Sequence, residues 1–291
     1  MNPFSAAYPS DELDKELIGL TLNGDKKALS LLIKNHQAYI YNVAWKMTGN
    51  IDDAKDLSQE VFIKIITNLG KFQFKSSFRT WAYRIVFNHF MNDKKKMNFV
   101  IPTNFEEMGA HLNAAPDHDM TEDEKEEKRE LIREVRLNCL SGMILCLNKE
   151  QRLVYIIGEI FGADHTIGSE IMDMSKANFR MKLSKARKDL YNFMNKQCGL
   201  VDKSNPCRCH KKVKTAVDMK FINAKDLLHN KAEYDTFQSY LGDDADFLTA
   251  NADLKYAELQ QNLSFKKDFD KKGFIEDILD NESWKSILNL N

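Results

Sequence analysis

Three groups of side chains in this chain have the types and spacing to do chemistry. The first is SKANFRMKLSKARKDL, Ser175 to Leu190. There Lys176, Arg180, Lys182, Lys185, Arg187 and Lys188 face a single acid, Asp189. The whole chain carries a formal net charge of −1, so this segment concentrates positive charge that the rest lacks. A line of phosphates suits it, because every Lys or Arg laid there releases a counterion. Arg and Lys also reach the acceptor edge of guanine in a major groove. The second group is KFQFKSSFRTWAYR, in which Phe72, Phe74, Phe78, Trp81 and Tyr83 interleave with Lys71, Lys75, Arg79 and Arg84. Aromatic faces beside positive charge stack unpaired bases. Core packing takes a share of Phe78 and Trp81, but Phe74 sits among polar residues in a loop and is harder to assign to a core. The third group is CGLVDKSNPCRCH, which brings Cys198, Cys207, Cys209 and His210 into one short segment. Those are donors enough for a tetrahedral zinc ion. Cys-x-Cys is tighter than the usual Cys-x-x-Cys, so a rigid Asn-Pro turn and a redox-sensitive thiol pair stand beside zinc as readings.

Enzyme chemistry finds no support. The sequence has no Gly-rich phosphate loop, no nucleophile–base pair and no carboxylate dyad. Its 7 His are scattered without ligand spacing.

Helices must position these groups. The composition is 43% hydrophobic and 29% charged with only 5 Pro and 12 Gly in 291 residues, which fits a mostly helical protein of two small domains and an appendage. ALSLLIKNHQAYIYNVAWKMTG places Leu29, Leu32, Ile33, His36, Ile40, Val43, Ala44 and Met47 at helical steps, and Gly49 closes that helix. NIDDAKDLSQEVFIKIITNLG opens with Asn50 and Asp52 as cap candidates and stops at Gly70. FRTWAYRIVFNHFMNDKKK predicts a third helix ending in a basic cluster.

Residues 97–130 change character. Pro102, Gly109 and Pro116 interrupt any period, and PDHDMTEDEKEEKRE is strongly acidic, so the stretch reads as a flexible linker. Periodicity resumes over 131–197. NKEQRLVYIIGEIFG carries Asn148 as N-cap with Gln151 three residues on, a capping-box pattern. TIGSEIMDM reads as a short helix, and Ser175 caps the next. On that last helix Phe179, Leu183, Ala186 and Leu190 share one face, which leaves the basic residues on the other. A short helix, a turn and a basic amphipathic helix make a helix-turn-helix. Residues 198–212 form a Cys-containing segment, non-helical over 198–210, and 213–291 an extension with the weak helical segments NAKDLL, AEYDTFQSYL, NADLKYAELQQNL, FIEDILD and SWKSIL.

The 5 Cys, an odd number, do not make a disulfide framework, and Cys139 and Cys146 read as core thiols. The early acids argue against a secretory signal, and the apolar run at LVYIIGEIFGA is too short to span a bilayer. The expected location is the cytoplasm, without membrane insertion.

DDAKDLSQEVFIKIITNLGKF, then SFRTWAYRIVFNHFMNDKKK, then LNKEQRLVYIIGEIFG with GSEIMDMSKANFRMKLSKARKDL, resemble the bacterial RNA polymerase sigma factors of the extracytoplasmic-function group. The order and spacing of the two blocks carry the resemblance. It implies an all-α fold with sigma region 2 over 11–96 and sigma region 4, with its helix-turn-helix, over 131–197. It implies that Asp56, Gln59, Glu60 and Phe62 meet the clamp helices of the largest subunit of core RNA polymerase. It implies that Phe74, Lys75, Ser76, Ser77, Arg79, Trp81, Arg84 and Asn88 face the melted −10 strand of promoter DNA. The −35 readers would be Arg180, Met181, Ser184 and Lys185, with Lys182, Arg187 and Lys188 gripping phosphates. An anti-sigma factor is a further partner of such proteins. This sequence departs from the family at Gly168, where an apolar residue is common, and at Met181, where a small polar one is frequent.

A plain helix-turn-helix regulator with a C-terminal sensor is the competing reading. It explains the basic helix but neither DLSQEVF nor the aromatic loop. The extension reads equally as a fused regulator that covers a DNA or polymerase surface and as a passive appendage.

Overall fold

A computed structural model describes residues 4, 11–92, 104–227, 257, 260 and 271–279. Every regular element among them is a helix; the extended contact is a bridge between Cys198 and Cys207. Contacts divide the chain into two compact units. One holds Met1–Met97, Ile156–Lys182 and Asp270–Asn291, the other Asn98–Tyr155 and Leu183–Phe269.

The first unit is built on α1 (Asp11–Leu22), α2 (Lys26–Thr48), α3 (Ile51–Thr67) and α4 (Phe78–Asn92). Local chemistry sets the ends. Asp25 accepts from the amides of Lys27 and Ala28, and Asn50 accepts from Asp52 and Asp53, so orphan donors of α2 and α3 are met. Gly49 ends α2 in the left-handed conformation, φ 67°, with its amide on Trp45 O. The apolar stripe then docks: Leu29, Ile33, Val43, Val61, Ile66 and Phe90 are among the buried residues. Each such side chain contributes about 1.5–3 kcal/mol relative to exposure. A buried polar pair fixes α1 on α2, with His36 Nε2 2.9 Å from Asp14 Oδ1. The expected stop at Gly70 is softer, because α3 ends at Thr67 and a 3-10 turn runs over Leu69–Lys71. The basic cluster after α4 lies outside the described residues.

In the second unit, the stretch expected as an unstructured linker holds α5 (Phe105–Ala114) and α6 (Glu122–Glu127). Short-range caps account for the difference. Asn104 accepts from the amide of Glu107, and Thr121 and Glu124 form a reciprocal capping box. Composition hid these helices because their acids sit in first turns, where the helix dipole favours them. Next come α7 (Arg129–Gly142), a 3-10 turn over Met143–Cys146, and α8 (Lys149–Tyr155), which continues as a π turn over Ile156–Ile160. Arg152, buried, donates to the carbonyls of Leu145 and Leu147 and so satisfies the end of the 3-10 turn.

The helix-turn-helix consists of α9 (His165–Ile171), capped by Asp164, and α10 (Lys176–Gln197). Asp173 makes the turn with φ 49°, a conformation that Asp tolerates better than most. Past α10, α11 (Cys209–Asp218) begins inside the segment expected to be non-helical. Its face Val213 and Ala216 packs with Val135 of α7 and with Ile222. NAKDLL, expected as weakly helical, turns instead, since Asn223 accepts the amides of Lys225 and Asp226. The last described helix is α12 (Lys271–Leu279), within the expected FIEDILD helix. The other helical segments expected in the extension lie outside the described residues, apart from Ala257 and Gln260.

Candidate nucleic-acid interface

On α10 the sequence period is realised in three dimensions. Phe179, Leu183, Ala186 and Leu190 are buried. Arg180, Met181, Ser184, Lys185, Arg187 and Lys188 are exposed, and Lys182 is half-buried. Met181 is 62% exposed, a large apolar side chain standing among cations. Ser175 caps the helix through the amide of Asn178. This surface presents positive charge and one flexible apolar tip to whatever it meets. It can neutralise phosphates and touch base edges.

Gly168 is explained by Phe179. A methyl group there would stand 2.3 Å from the Phe179 Cζ, so only glycine lets the ring lie against α9. The departure from the family pattern is therefore a packing exchange, with a large ring on α10 filling the space above a bare backbone on α9.

The aromatic loop is held from beneath. Phe72 and Phe78 are buried, and the Phe72 ring lies 5.1 Å from Trp81 and 4.7 Å from Phe74. Phe74 has φ 55° and is 47% exposed. A bulky non-glycine residue in the left-handed region is strained, and such strain persists where the surroundings over-determine it. Ser77 Oγ accepts the amide of Thr80 and fixes the start of α4. Lys75 is exposed, and Ser76 and Ser77 are half-buried.

Two expected strand-facing cations already have partners. Arg79 Nη2 meets Asp11 Oδ1 at 2.8 Å. Arg84 donates to the Glu170 carbonyl at 3.2 Å and to its carboxylate at 3.4 Å. The latter pair is about two-fifths exposed on each side, so it holds weakly and exchanges readily. Asn88 is exposed. Sequence periodicity had no means of finding Asp11 or Glu170, because both pairs join residues far apart in the chain.

The polar face of α3 is also more occupied than its sequence suggests. Asp56 is exposed, while Glu60 Oε2 lies 3.6 Å from His89 Nε2. Gln59 Nε2 donates to Asp277 Oδ2 at 3.0 Å. Phe62 does not reach the surface, and its ring meets Phe274 edge-on, with centroids 5.7 Å apart.

In the cysteine segment, Asn205 donates to the carbonyls of Asn195 and Cys198 and so closes the end of α10. Arg208 ties down the carbonyls of Lys203, Asn205 and Cys207. Gly199 is needed because a Cβ there would stand 2.3 Å from the Cys207 carbonyl. Cys139, on α7, lines one cavity together with Cys207 and Cys209; the sequence reading missed it because it lies far upstream. His210 lines a second cavity with Cys207 and Cys209, and burial, with Lys125 nearby, lowers its pKa. Burial pushes Cys198 up to about 12 and Cys207 to about 11, and raises Cys209 and Cys139 as well. Thiols held protonated in this way are slow nucleophiles at neutral pH. Among the described residues, no group of three or more His, Cys, Asp or Glu is arranged to hold a metal ion. The Asn205 and Arg208 bonds make this segment a rigid Asn-Pro turn.

No helix among the described residues is long and apolar enough to cross a membrane. Residues 32–98 match the sigma-70 region 2 family. The chain is 37% identical to the RNA polymerase sigma-H factor of Pseudomonas aeruginosa over 79 residues, 27% of this chain and 41% of that protein. It is 34% identical to the ECF RNA polymerase sigma factor SigW of Bacillus subtilis over 74 residues, 25% of this chain and 40% of that one. It thus spans about two-fifths of the length of these two relatives. A longer match, 26% identical over 189 residues, covers 62% of this chain and 94% of the ECF RNA polymerase sigma-E factor of Haemophilus influenzae. The region 2 match lies on α2 to α4, outside the helix-turn-helix, where a plain helix-turn-helix regulator offers no counterpart. With that segment and these relatives, the chain is similar to sigma-70 factors, those of the extracytoplasmic-function group among them.

Proposed function

We propose that this protein is a non-enzymatic transcription-initiation subunit that binds core RNA polymerase in the cytoplasm and directs it to promoters. The observation that carries the reading is the region 2 match over residues 32–98, which contains both the polar face of α3 and the Phe74 loop. Asp56, Gln59 and Glu60 engage the clamp helices of the largest subunit. Exposed Arg180, Met181, Ser184 and Lys185 read the −35 duplex, with Lys182, Arg187 and Lys188 on phosphates. Phe74 and the Gln73–Ser77 loop hold a base extruded from the −10 strand, and Arg79, Trp81, Arg84 and Asn88 follow the strand beside it. The bond-forming chemistry belongs to the polymerase. This subunit contributes binding energy that favours the melted state over the duplex. An anti-sigma factor would act by covering one of these faces.

The test is promoter-directed transcription by sigma-free core polymerase, with duplex and pre-melted −10 templates in parallel. Specific transcripts are expected, and Asp56→Arg with Glu60→Arg abolishes them while sparing binding to isolated duplex. Duplex binding without core binding or transcripts would overturn the proposal in favour of a plain regulator.

A further inference from the structure

Helix α12 lies against α2 and α3, and its contacts fall on the side chains expected to meet the polymerase. Asp277 receives a hydrogen bond from Gln59 at 3.0 Å and stands 3.8 Å from Lys55 Nζ. One turn earlier, Phe274 is fully buried with its ring on Phe62, and Ile278, four residues on, is 1% exposed. Phe274 and Ile278 form one apolar stripe at helical spacing, with Asp277 at its edge. α12 is thus an amphipathic helix seated by an aromatic anchor and a polar latch, the helix-in-groove mode of recognition.

We infer that α12 is an intramolecular occupant of the polymerase-docking face, so that the chain closes its own α3 surface until α12 is released. The inference rests on the function proposed above, which supplies the role of that face. The chemistry is competitive. The polymerase needs Gln59 free and the edge of Phe62 uncovered, and α12 holds both. Asp277 and the ring of Phe274 mark what the groove accepts: a helix presenting an aromatic side chain beside a carboxylate. The polar contacts of Asp277 with Gln59 and Lys55 are exposed, so solvent screens them and they add little to the hold on α12. Apparent affinity for polymerase then falls by the fraction of time the face is open; a helix docked about nine-tenths of the time reduces it about tenfold.

The experiment uses the full chain and the full chain with Phe274→Asp and Asp277→Lys. Two quantities are measured: hydrogen exchange across 271–279 and α3, and equilibrium binding to sigma-free core polymerase. The double variant is expected to lose protection over 271–279 and to bind core at least about tenfold more tightly. A chain ending at Phe269 is expected to match it, which separates release of α12 from any side effect of the substitutions. Equal affinity of all three forms, with α12 released in the variants, overturns the occupant role and leaves the sigma reading standing. Failure of every form to bind core, with duplex binding retained, overturns the sigma reading and this inference with it.

Discussion

At Gly168 a methyl group would stand 2.3 Å from the buried ring of Phe179, while at Gly19, on the exposed side of α1, it would meet nothing within 4 Å. The same substitution therefore has opposite signs at the two sites. Gly168→Ala is expected to destabilise the protein by about 1–3 kcal/mol through overpacking. Gly19→Ala is expected to stabilise it by about 0.5–1 kcal/mol through lost chain entropy. Urea denaturation of both variants checks the pair, and a stable Gly168→Ala would remove the packing explanation for that glycine. Lys46 gives a second prediction at this scale. It is buried with its ammonium 4.9 Å from the Trp45 ring centroid, and burial lowers its pKa to about 7 from an ordinary 10.5. Between those two values the unfolded chain holds a proton that the folded chain has released. Stability from this residue therefore rises with pH, by as much as about 1.4 kcal/mol per unit across the window. Lys46→Met is expected to be more stable than the parent at pH 7, with the difference shrinking towards pH 10.5. Melts at several pH values read this directly; parallel profiles would refute it.

Among the elements, helix ends decide how well the site is presented. Asn50 caps α3, the helix that carries Asp56, Gln59 and Glu60. Asn50→Ala is expected to cost about 1 kcal/mol and to speed amide exchange at Asp52 and Asp53, while Asn50→Asp is nearly neutral. The sequence made that cap legible because an Asn followed by acids and an apolar period has a local meaning. Asn148 shows where local reading stops. It does cap α8 by accepting the Gln151 amide, as its spacing suggests. Gln151, however, does not return the bond; its side chain donates to Asp189 at 2.9 Å on α10. A partner on another helix replaced the capping box, and nothing in the four-residue pattern carries that information. The same holds for Asn205, whose carbonyl partners at Asn195 and Cys198 hold the cysteine segment in a turn that no short pattern specifies.

For the whole molecule, charge distribution matters more than total charge. With a formal net charge of −1, the molecule has little long-range attraction for DNA, so under the proposed function duplex affinity would rest on the exposed cations of α10. Arg187→Ala with Lys188→Ala is expected to weaken duplex binding uniformly across sequences. The slope of log affinity against log salt should fall in magnitude by about 1.8, near 0.9 per phosphate contact. Arg180→Ala should instead change which sequences are preferred. Salt titrations on two unrelated duplexes distinguish these outcomes, and an unchanged slope would place the phosphate contacts elsewhere. The sequence by itself determined α2 to α4 and α8 to α10, most of their ends and the buried stripe of α10. Each depends on residues within a few positions of one another, where backbone hydrogen bonding and the helical period act. It also exposed the resemblance to sigma factors, because two blocks in order carry motifs that survive without their contacts. Only the tertiary structure decided which candidate groups are already engaged: Arg79 by Asp11, Arg84 by Glu170, Gln59 by Asp277, and Phe62 by Phe274. Those pairings join positions remote in sequence, and they are set by which apolar faces bury against each other, a choice that no local pattern encodes.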